Sequence, residues 1–491
     1  MMARQLNKIL ESIDFLQRVG TTDSILRNIS FDSRTVGHDD LFVAVKGVKM
    51  DGHDFIPEVI NKGVAAVICE RIPDNMPENI VFIKVRNSAV ALGQAASAWY
   101  DHPSTKLKVI GITGTNGKTS TVFLLYHLFK GLGFKTGLLS TIENRIGDEK
   151  VASTHTTADS IQINKNLAKM IESGCHYCFM ELSSHAIDQE RIAGLKISGA
   201  IFSNISHDHL DYHVTLDNYI KAKKKLFDEL PTDAFVLVNA DDSHSKIMLQ
   251  NCVARKFNYS LKSPSDYKGR ILENSFDGLL LRIDNQEVWC RLVGGFNAYN
   301  LLATFAVARI EGFQNHEVLP LLSLLAPVEG RFQIIRSKAG ITVIVDYAHT
   351  PDALKNVLKT INEVRSGKEK LITIIGAGGD RDRLKRPLLA KIACRLSDRV
   401  ILTSDNPRTE KPEMIIDDME AGLDRDMKKK TIRITDRLEA IKTAIMISLK
   451  DDIILIAGKG HETYQEVNGV KSHFDDREIA VEYLNNLNSD N

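Results

Sequence analysis

The passage from residue 107 to about residue 130 constrains this chain more than any other. Leu107-Lys-Val-Ile-Gly-Ile112 reads as a buried strand, Thr113-Gly-Thr-Asn-Gly-Lys-Thr-Ser120 as a glycine-rich turn, and the apolar residues after it as a helix. A strand, a tight turn and a helix in that order aim several backbone N–H groups at one point, where phosphate oxygens bind. Lys118 can then neutralise charge, and the Thr119 hydroxyl can ligate Mg²⁺. The usual spacing G-x-x-x-x-G-K-[ST] is not met, because Ile112 stands five positions before Gly117 and Gly114 only three. The loop is a variant phosphate loop, and a sheet must surround it.

At 491 residues the chain exceeds one ordinary core, so several domains are expected. The breakers in Asp101-His-Pro-Ser-Thr105 put a first boundary near residue 103, and the alternation of strands and helices restarts after Pro327-Val-Glu-Gly330. The expected architecture is α/β in three parts: a small N-terminal α/β domain (1–103), a central P-loop-like domain with a mostly parallel sheet (104–328) and a C-terminal Rossmann-like domain (329–491). Strands are expected at 41–45, 65–69, 179–182, 200–204, 235–239, 342–346, 371–375, 400–403 and 453–457. Lys plus Arg and Asp plus Glu both total 63, which argues against nucleic acid as a partner. Six scattered cysteines with one C-x-x-C pair, Cys175 and Cys178, read as buried reduced thiols. Neither a signal peptide nor a membrane-length apolar run is legible, so a cytoplasmic protein with small-molecule substrates is expected, and as a monomer.

A magnesium-dependent phosphoryl site needs further hard oxygen ligands near the ends of neighbouring strands. Glu181 closes the strand in Phe179-Met-Glu-Leu-Ser-Ser-His185, where packing does not explain a glutamate. Ser206-His-Asp-His-Leu-Asp-Tyr-His213 follows another strand, and its three histidines leave zinc open beside magnesium. In the helix at 218–227, at about 100° per residue, Tyr219, Ile220, Leu226 and Phe227 share a sector of roughly 120°. Lys223 lies inside it, facing the core or snorkelling out, while Lys221, Lys224 and Lys225 point away.

Seven segments in order resemble the Mur ligase family of ATP-dependent amide-forming enzymes: GTNGKTS (114–120), MELSSHAIDQER (180–191), NISHDHLDYH (204–213), YIKAKKKLF (219–227), GGFNAYNLLA (294–303), EGRF (329–332) and DYAHTPDAL (346–354). The loop alone is also similar to folylpolyglutamate synthetases, but FDSRTVGHDDLFVAVKG (31–47) looks like the nucleotide-sugar domain of the tripeptide-forming member. The resemblance implies ATP bound by Gly114, Thr115, Asn116, Gly117, Lys118, Thr119 and Ser120, with Asn297, Arg331 and Asp346 as further contacts. It implies Lys223 as a carbamate (N6-carboxylysine, formed with carbon dioxide). Thr119 and Glu181 would hold one Mg²⁺, His209 and modified Lys223 a second. Lys118, Glu181, His209 and Lys223 would be the catalytic set. Ser33, the segment near Lys49, Thr156, Thr157, Ser183, Gln189 and Arg191 would bind a UDP-muramoyl dipeptide, although Ala158 stands where the family has proline.

The implied reaction converts the dipeptide's carboxylate to an acyl phosphate that an amine displaces, a step of peptidoglycan precursor synthesis. Gly376-Ala-Gly-Gly-Asp-Arg-Asp-Arg383 lacks the third glycine of a dinucleotide fingerprint, so Arg381 is assigned to a carboxylate instead. Asp405-Asn406-Pro407-Arg408 looks like the family's signature for meso-diaminopimelate, with Gly458 and Glu462 completing the site and Glu462 meeting an ammonium group. An arginine fork suits the extra carboxylate that distinguishes this substrate from lysine. Lysine is expected to leave Arg408 unpaired, at a cost of roughly 2–5 kcal/mol. The competing readings are a lysine-adding member of the family and a non-catalytic ATP-dependent binding protein.

Overall fold

A computed structural model describes residues 3–47, 50–151, 156–206 and 210–489. The chain packs as two compact units, one of residues 1–114, 121–204 and 217–258, the other of residues 115–120, 205–216 and 259–491.

In the first unit, a five-stranded sheet runs Phe15–Val19, Val81–Val85, Ala66–Cys69, Leu41–Val43, Ile29–Ser30, parallel except for the first pair. A second sheet has a parallel core in the order Thr136–Leu139, Tyr177–Glu181, Lys108–Thr113, Gly199–Phe202, Phe235–Asn239. These strands are wholly buried except for Lys108, so they read as continuous apolar runs rather than as alternation. Parallel pairing brings Thr113, Glu181 and Phe202 to the same edge, where loops after the strands gather side chains. The antiparallel ribbon Asn144–Ile146 and Glu149–Val151 extends the sheet beside Thr136–Leu139.

In the second unit, Tyr267–Ser275, Gly278–Ile283 and Gln286–Cys290 form an antiparallel meander packed on the helix Gly295–Ile310. A six-stranded sheet follows, ordered Gln333–Arg336, Thr342–Asp346, Ile453–Ala457, Leu371–Ile375, Arg399–Leu402, Thr431–Arg433, parallel apart from its first strand. The strands ending at Asp346, Ala457, Ile375 and Leu402 send out the loops that carry residues 347–350, 458–463, 376–384 and 403–409. The hairpin Tyr464–Val467 and Val470–His473 turns at Asn468 and Gly469, with φ of +50° and +78°, the Asn-Gly turn that fits strand twist. All six cysteines are buried and free, as expected.

Candidate active site

The turn after Lys108–Thr113 requires its glycines. Gly114 has φ +148°, and a Cβ there would meet Ser203 Oγ at 2.0 Å. Gly117 has φ +88°, and a Cβ there would stand 2.6 Å from Asn300 Oδ1. The helix Lys118–Gly131 begins at the lysine, whose Nζ donates to Thr115 O at 2.8 Å. Thr115 in turn accepts the Ser206 N–H through its hydroxyl (3.0 Å), tying the loop to the start of the histidine-rich segment.

Arg331 reaches this loop, donating from Nη2 to Thr119 Oγ1 at 3.2 Å. Its guanidinium lies 4.5 Å from the centre of the Tyr347 ring, and its buried Nε has no partner among the described residues. Asp346 fixes the approach: its carboxylate accepts the N–H groups of Phe332 (2.6 Å) and Ala348 (2.7 Å). Burial pushes that carboxyl above its ordinary value, against the opposing pull of Arg331 and the two N–H groups. Asn297 is held from both sides, donating to Val293 O and accepting from Asn300, and it lines a cavity of about 580 Å³ with Phe276, Arg291, Phe332 and Arg336. Asn300, which the sequence reading missed, is therefore the side chain that seats Gly117 against the helix.

In the first unit, Glu181 is 1 % exposed, and both its oxygens accept from Thr141, from the N–H at 2.9 Å and from the hydroxyl at 3.1 Å. Both donors are neutral, and no cation stands within ion-pair distance among the described residues. An ionised carboxylate buried this way calls for a counter-charge. Lys223 is buried as well, at 1 % exposure. Its Nζ donates to Gly114 O (2.9 Å) and Thr113 Oγ1 (3.3 Å) and lies 4.6 Å from the Tyr219 ring centre. Helical geometry thus located the lysine correctly on the core face of Leu216–Asp228. His209 and Lys49 lie outside the described residues, as do the side chains of 210 and 211.

Four of the remaining residues of this unit, Thr157, Ser183, Gln189 and Arg191, form one hydrogen-bonded group. Thr157 Oγ1 donates to Glu181 O and accepts the Ser183 N–H. Arg191 donates to Thr157 O (2.7 Å) and to Gln189 Oε1 (2.7 Å). Thr156 is half-buried next to them, and Ser33 is apart from this group, buried, with its carbonyl accepting from Lys62.

The loops of the C-terminal sheet build a second centre. Gly379 packs so closely under Pro407 that a Cβ would fall 1.8 Å from its carbonyl oxygen. Arg408, at φ +52°, donates from Nη1 to Gly379 O (2.7 Å), with Nε 3.7 Å from Glu466. Asp405 and Asn406 are buried, and Gly458, at φ +118°, leaves room for the Asp405 carboxylate, 2.6 Å from where its Cβ would be. Glu462 accepts from Asn406 Nδ2 at 2.8 Å, and burial and Asp405 push its carboxyl up. Arg381 is exposed near Gly378. Behind the loops, Arg437 and Asp476 pair at 2.7 and 2.8 Å with neither side chain exposed, and the arginine also reaches Ser404 O and Ala457 O. Next to Arg331, a Cβ on Gly330 would stand 2.1 Å from His461 N, and one on Gly460 2.5 Å from Gly330 O.

Family models match three stretches: a Mur ligase family catalytic domain at 26–100, a Mur ligase middle domain at 112–308 and a Mur ligase glutamate ligase domain at 330–460. The chain belongs to the Mur ligase family. This Mur ligase is 53 % identical over 484 residues to a Cytophaga hutchinsonii protein named UDP-N-acetylmuramoyl-L-alanyl-D-glutamate--2,6-diaminopimelate ligase, covering 98 % of this chain and 99 % of that one. It is 51 % identical to the Bacteroides fragilis protein of the same name, over 97 % and 99 % of the two chains. A solved structure of a ligase with that name matches at 32 % identity and TM-score 0.70, over 99 % of this chain and 100 % of the other. The MurF ligase of Thermotoga maritima, solved with ADP, shares the fold at 20 % identity and TM-score 0.61, over 95 % and 99 %. Among the described residues of this Mur ligase, no helix is long and apolar enough to cross a membrane.

One expectation changes on this geometry. Arg408 already has partners in Gly379 and Glu466, so a substrate lacking the second carboxylate does not leave a bare buried charge. Glu462 is engaged by Asn406 and Lys459, whereas no hydrogen bond to the Asp405 carboxylate occurs among the described residues. Both bonds to Glu462 fall on Oε2, so its Oε1 and the Asp405 carboxylate each keep acceptor capacity for an ammonium group among the described residues.

Proposed function

We infer that this Mur ligase joins meso-diaminopimelate to UDP-N-acetylmuramoyl-L-alanyl-D-glutamate with consumption of ATP. The observation that carries the choice of amine is the loop Asp405–Arg408 after the strand Arg399–Leu402, which holds a carboxylate with no hydrogen bond among the described residues and, three positions on, a guanidinium anchored on Gly379 O. A centre bearing both an ammonium and a carboxylate group complements that pair.

The dipeptide's terminal carboxylate attacks the γ-phosphorus of ATP, giving an acyl phosphate and ADP. The incoming amine then attacks the acyl carbon, phosphate leaves, and the amine's proton passes to the surroundings. Lys118 and Arg331 stabilise negative charge on the transferring group, the dominant contribution in such steps. Two features support Arg331 in this role: its bond to Thr119 and its unpartnered Nε. The cavity beside Asn297 and Phe332 falls in the size range of small-molecule sites. Thr156, Thr157, Ser183, Gln189, Arg191 and Ser33 are assigned to the UDP-muramoyl dipeptide, and Arg381 and Glu462 complete the amine site. The domain limits at residues 103 and 328 belong to the same reading.

Glu181 fits Mg²⁺, being a buried carboxylate with only neutral donors, and Thr119 would share that ion. Lys223 as a carbamate, with His209, would hold a second. Bound Mg²⁺ would supply charge neutralisation at the phosphates. Thr141 keeps Glu181 oriented, while Thr113 and Gly114 hold the Lys223 nitrogen at the base of the loop.

The test is turnover of purified protein with ATP, Mg²⁺, the UDP-muramoyl dipeptide and either meso-diaminopimelate or L-lysine, following ADP and the tripeptide. Preferential use of lysine would overturn the amine assignment, and no ADP release with either amine would overturn the catalytic reading.

A further inference from the structure

Lys459 is 0 % exposed, which a lysine reaches only when its ammonium is fully engaged. Gly458 and Gly460, both at positive φ, let the chain fold the side chain inward. Its Nζ donates to Tyr464 O at 2.5 Å and Asn406 Oδ1 at 3.2 Å and lies 3.4 Å from Glu462 Oε2. Asn406 Oδ1 also accepts the Glu466 N–H at 3.0 Å. With two donors on that oxygen, the amide has one orientation, and its Nδ2 must face Glu462 Oε2, 2.8 Å away.

We propose that Lys459 is the positioning residue of the amine site, one buried ammonium that fixes the Asn406 amide and the Glu462 carboxylate together. This rests on the reading of Asp405–Arg408 and Glu462 as the place of the diamino acid. Lys459 does not touch the reacting atoms; it acts through Asn406 and Glu462. The charges facing Glu462 agree with this role. Burial and Asp405 favour its neutral form, and Lys459 opposes them; Tyr347 and Arg437 also interact with it. Removing the ammonium therefore favours protonated Glu462, which cannot pair with a substrate ammonium.

The test uses full-length enzyme, first establishing that the wild type uses meso-diaminopimelate; failure there would overturn the site reading rather than the role of Lys459. In Lys459→Met, KM for the diamino acid is expected to rise by about 10- to 100-fold, the range for losing a buried charged hydrogen bond. KM for ATP should stay within about twofold, and the acid limb of kcat/KM for the diamino acid should move to higher pH. Lys459→Arg, which keeps the charge but changes the geometry, should leave the acid limb in place while KM for the diamino acid rises. Equal changes in both KM values, or an unmoved acid limb in Lys459→Met, would overturn the proposal. If Lys459→Met does not fold by circular dichroism, Lys459→Arg carries the test, and a wild-type KM for the diamino acid in that variant overturns it.

Discussion

Replacing Arg408 with methionine isolates the guanidinium, because both residues carry a Cβ and bear the strain of φ +52° alike. On the assignment proposed above, a preference for meso-diaminopimelate over lysine would come from the substrate's second carboxylate pairing with this side chain. Stranding a buried charge would cost several kcal/mol, but Gly379 O at 2.7 Å and Glu466 at 3.7 Å already partner the arginine. What lysine forgoes is the net gain of a charged hydrogen bond, about 1.5–3 kcal/mol. The side chain is 22 % exposed and Glu466 competes for it, which favours the lower half of that range. At about 1.4 kcal/mol per tenfold, the expected wild-type ratio of kcat/KM values is roughly 10 to 40. In Arg408→Met the ratio should fall towards one, through loss with diaminopimelate and little change with lysine. Parallel turnover of both amines by both proteins measures it. A preference that survives intact in the variant would refute the assignment, and a wild-type ratio well above about a thousand would refute the energetic reasoning.

Three further outcomes follow from the same geometry. Lys223→Ala should lose activity, and a short-chain carboxylic acid should restore part of it if a carboxylate is what the position supplies; wild-type turnover without rescue would remove Lys223 from the mechanism. Arg437→Met strands Asp476, which is 0 % exposed, and should lower stability by about 3–5 kcal/mol. Denaturant unfolding measures this, and Arg437→Met with Asp476→Leu should recover most of the loss. Glu410 is held at about 2 instead of its ordinary 4.5, chiefly by Arg386. Its contribution to stability is present above about pH 4.5 and is lost as pH falls towards 2, so Glu410→Gln should flatten the melting-temperature profile in that window.

Much of this was legible along the chain because it is periodic or contiguous. Buried parallel strands such as Leu371–Ile375 and Ile453–Ala457 are unbroken apolar runs, and Lys223 falls in an apolar helical sector by arithmetic alone. The meander between Tyr267 and Cys290 went unread, since only part of its pattern is buried. Lys459, between two glycines, has no periodic context, and its burial depends on Asn406 and Tyr464, partners distant in sequence or on a separate hairpin. The partners of Arg408 were hidden for the same reason: Gly379 lies twenty-nine positions away, and a carbonyl acceptor leaves no trace in residue type.

The contact between Gly330 and Gly460 has a mechanical meaning. Two stretches of main chain touch where any side chain would part them, and each leads directly into a working residue, Arg331 on one side and Glu462, two positions on, at the other. The guanidinium assigned to the phosphate and the acid assigned to the amine are thus machined from one block. On the assignments proposed above, another amine would be fitted by changes at Asp405–Arg408 while the Gly330–Gly460 contact keeps the calibration of Arg331 against Glu462. Alanine at either glycine would act on that calibration before it acted on the choice of substrate.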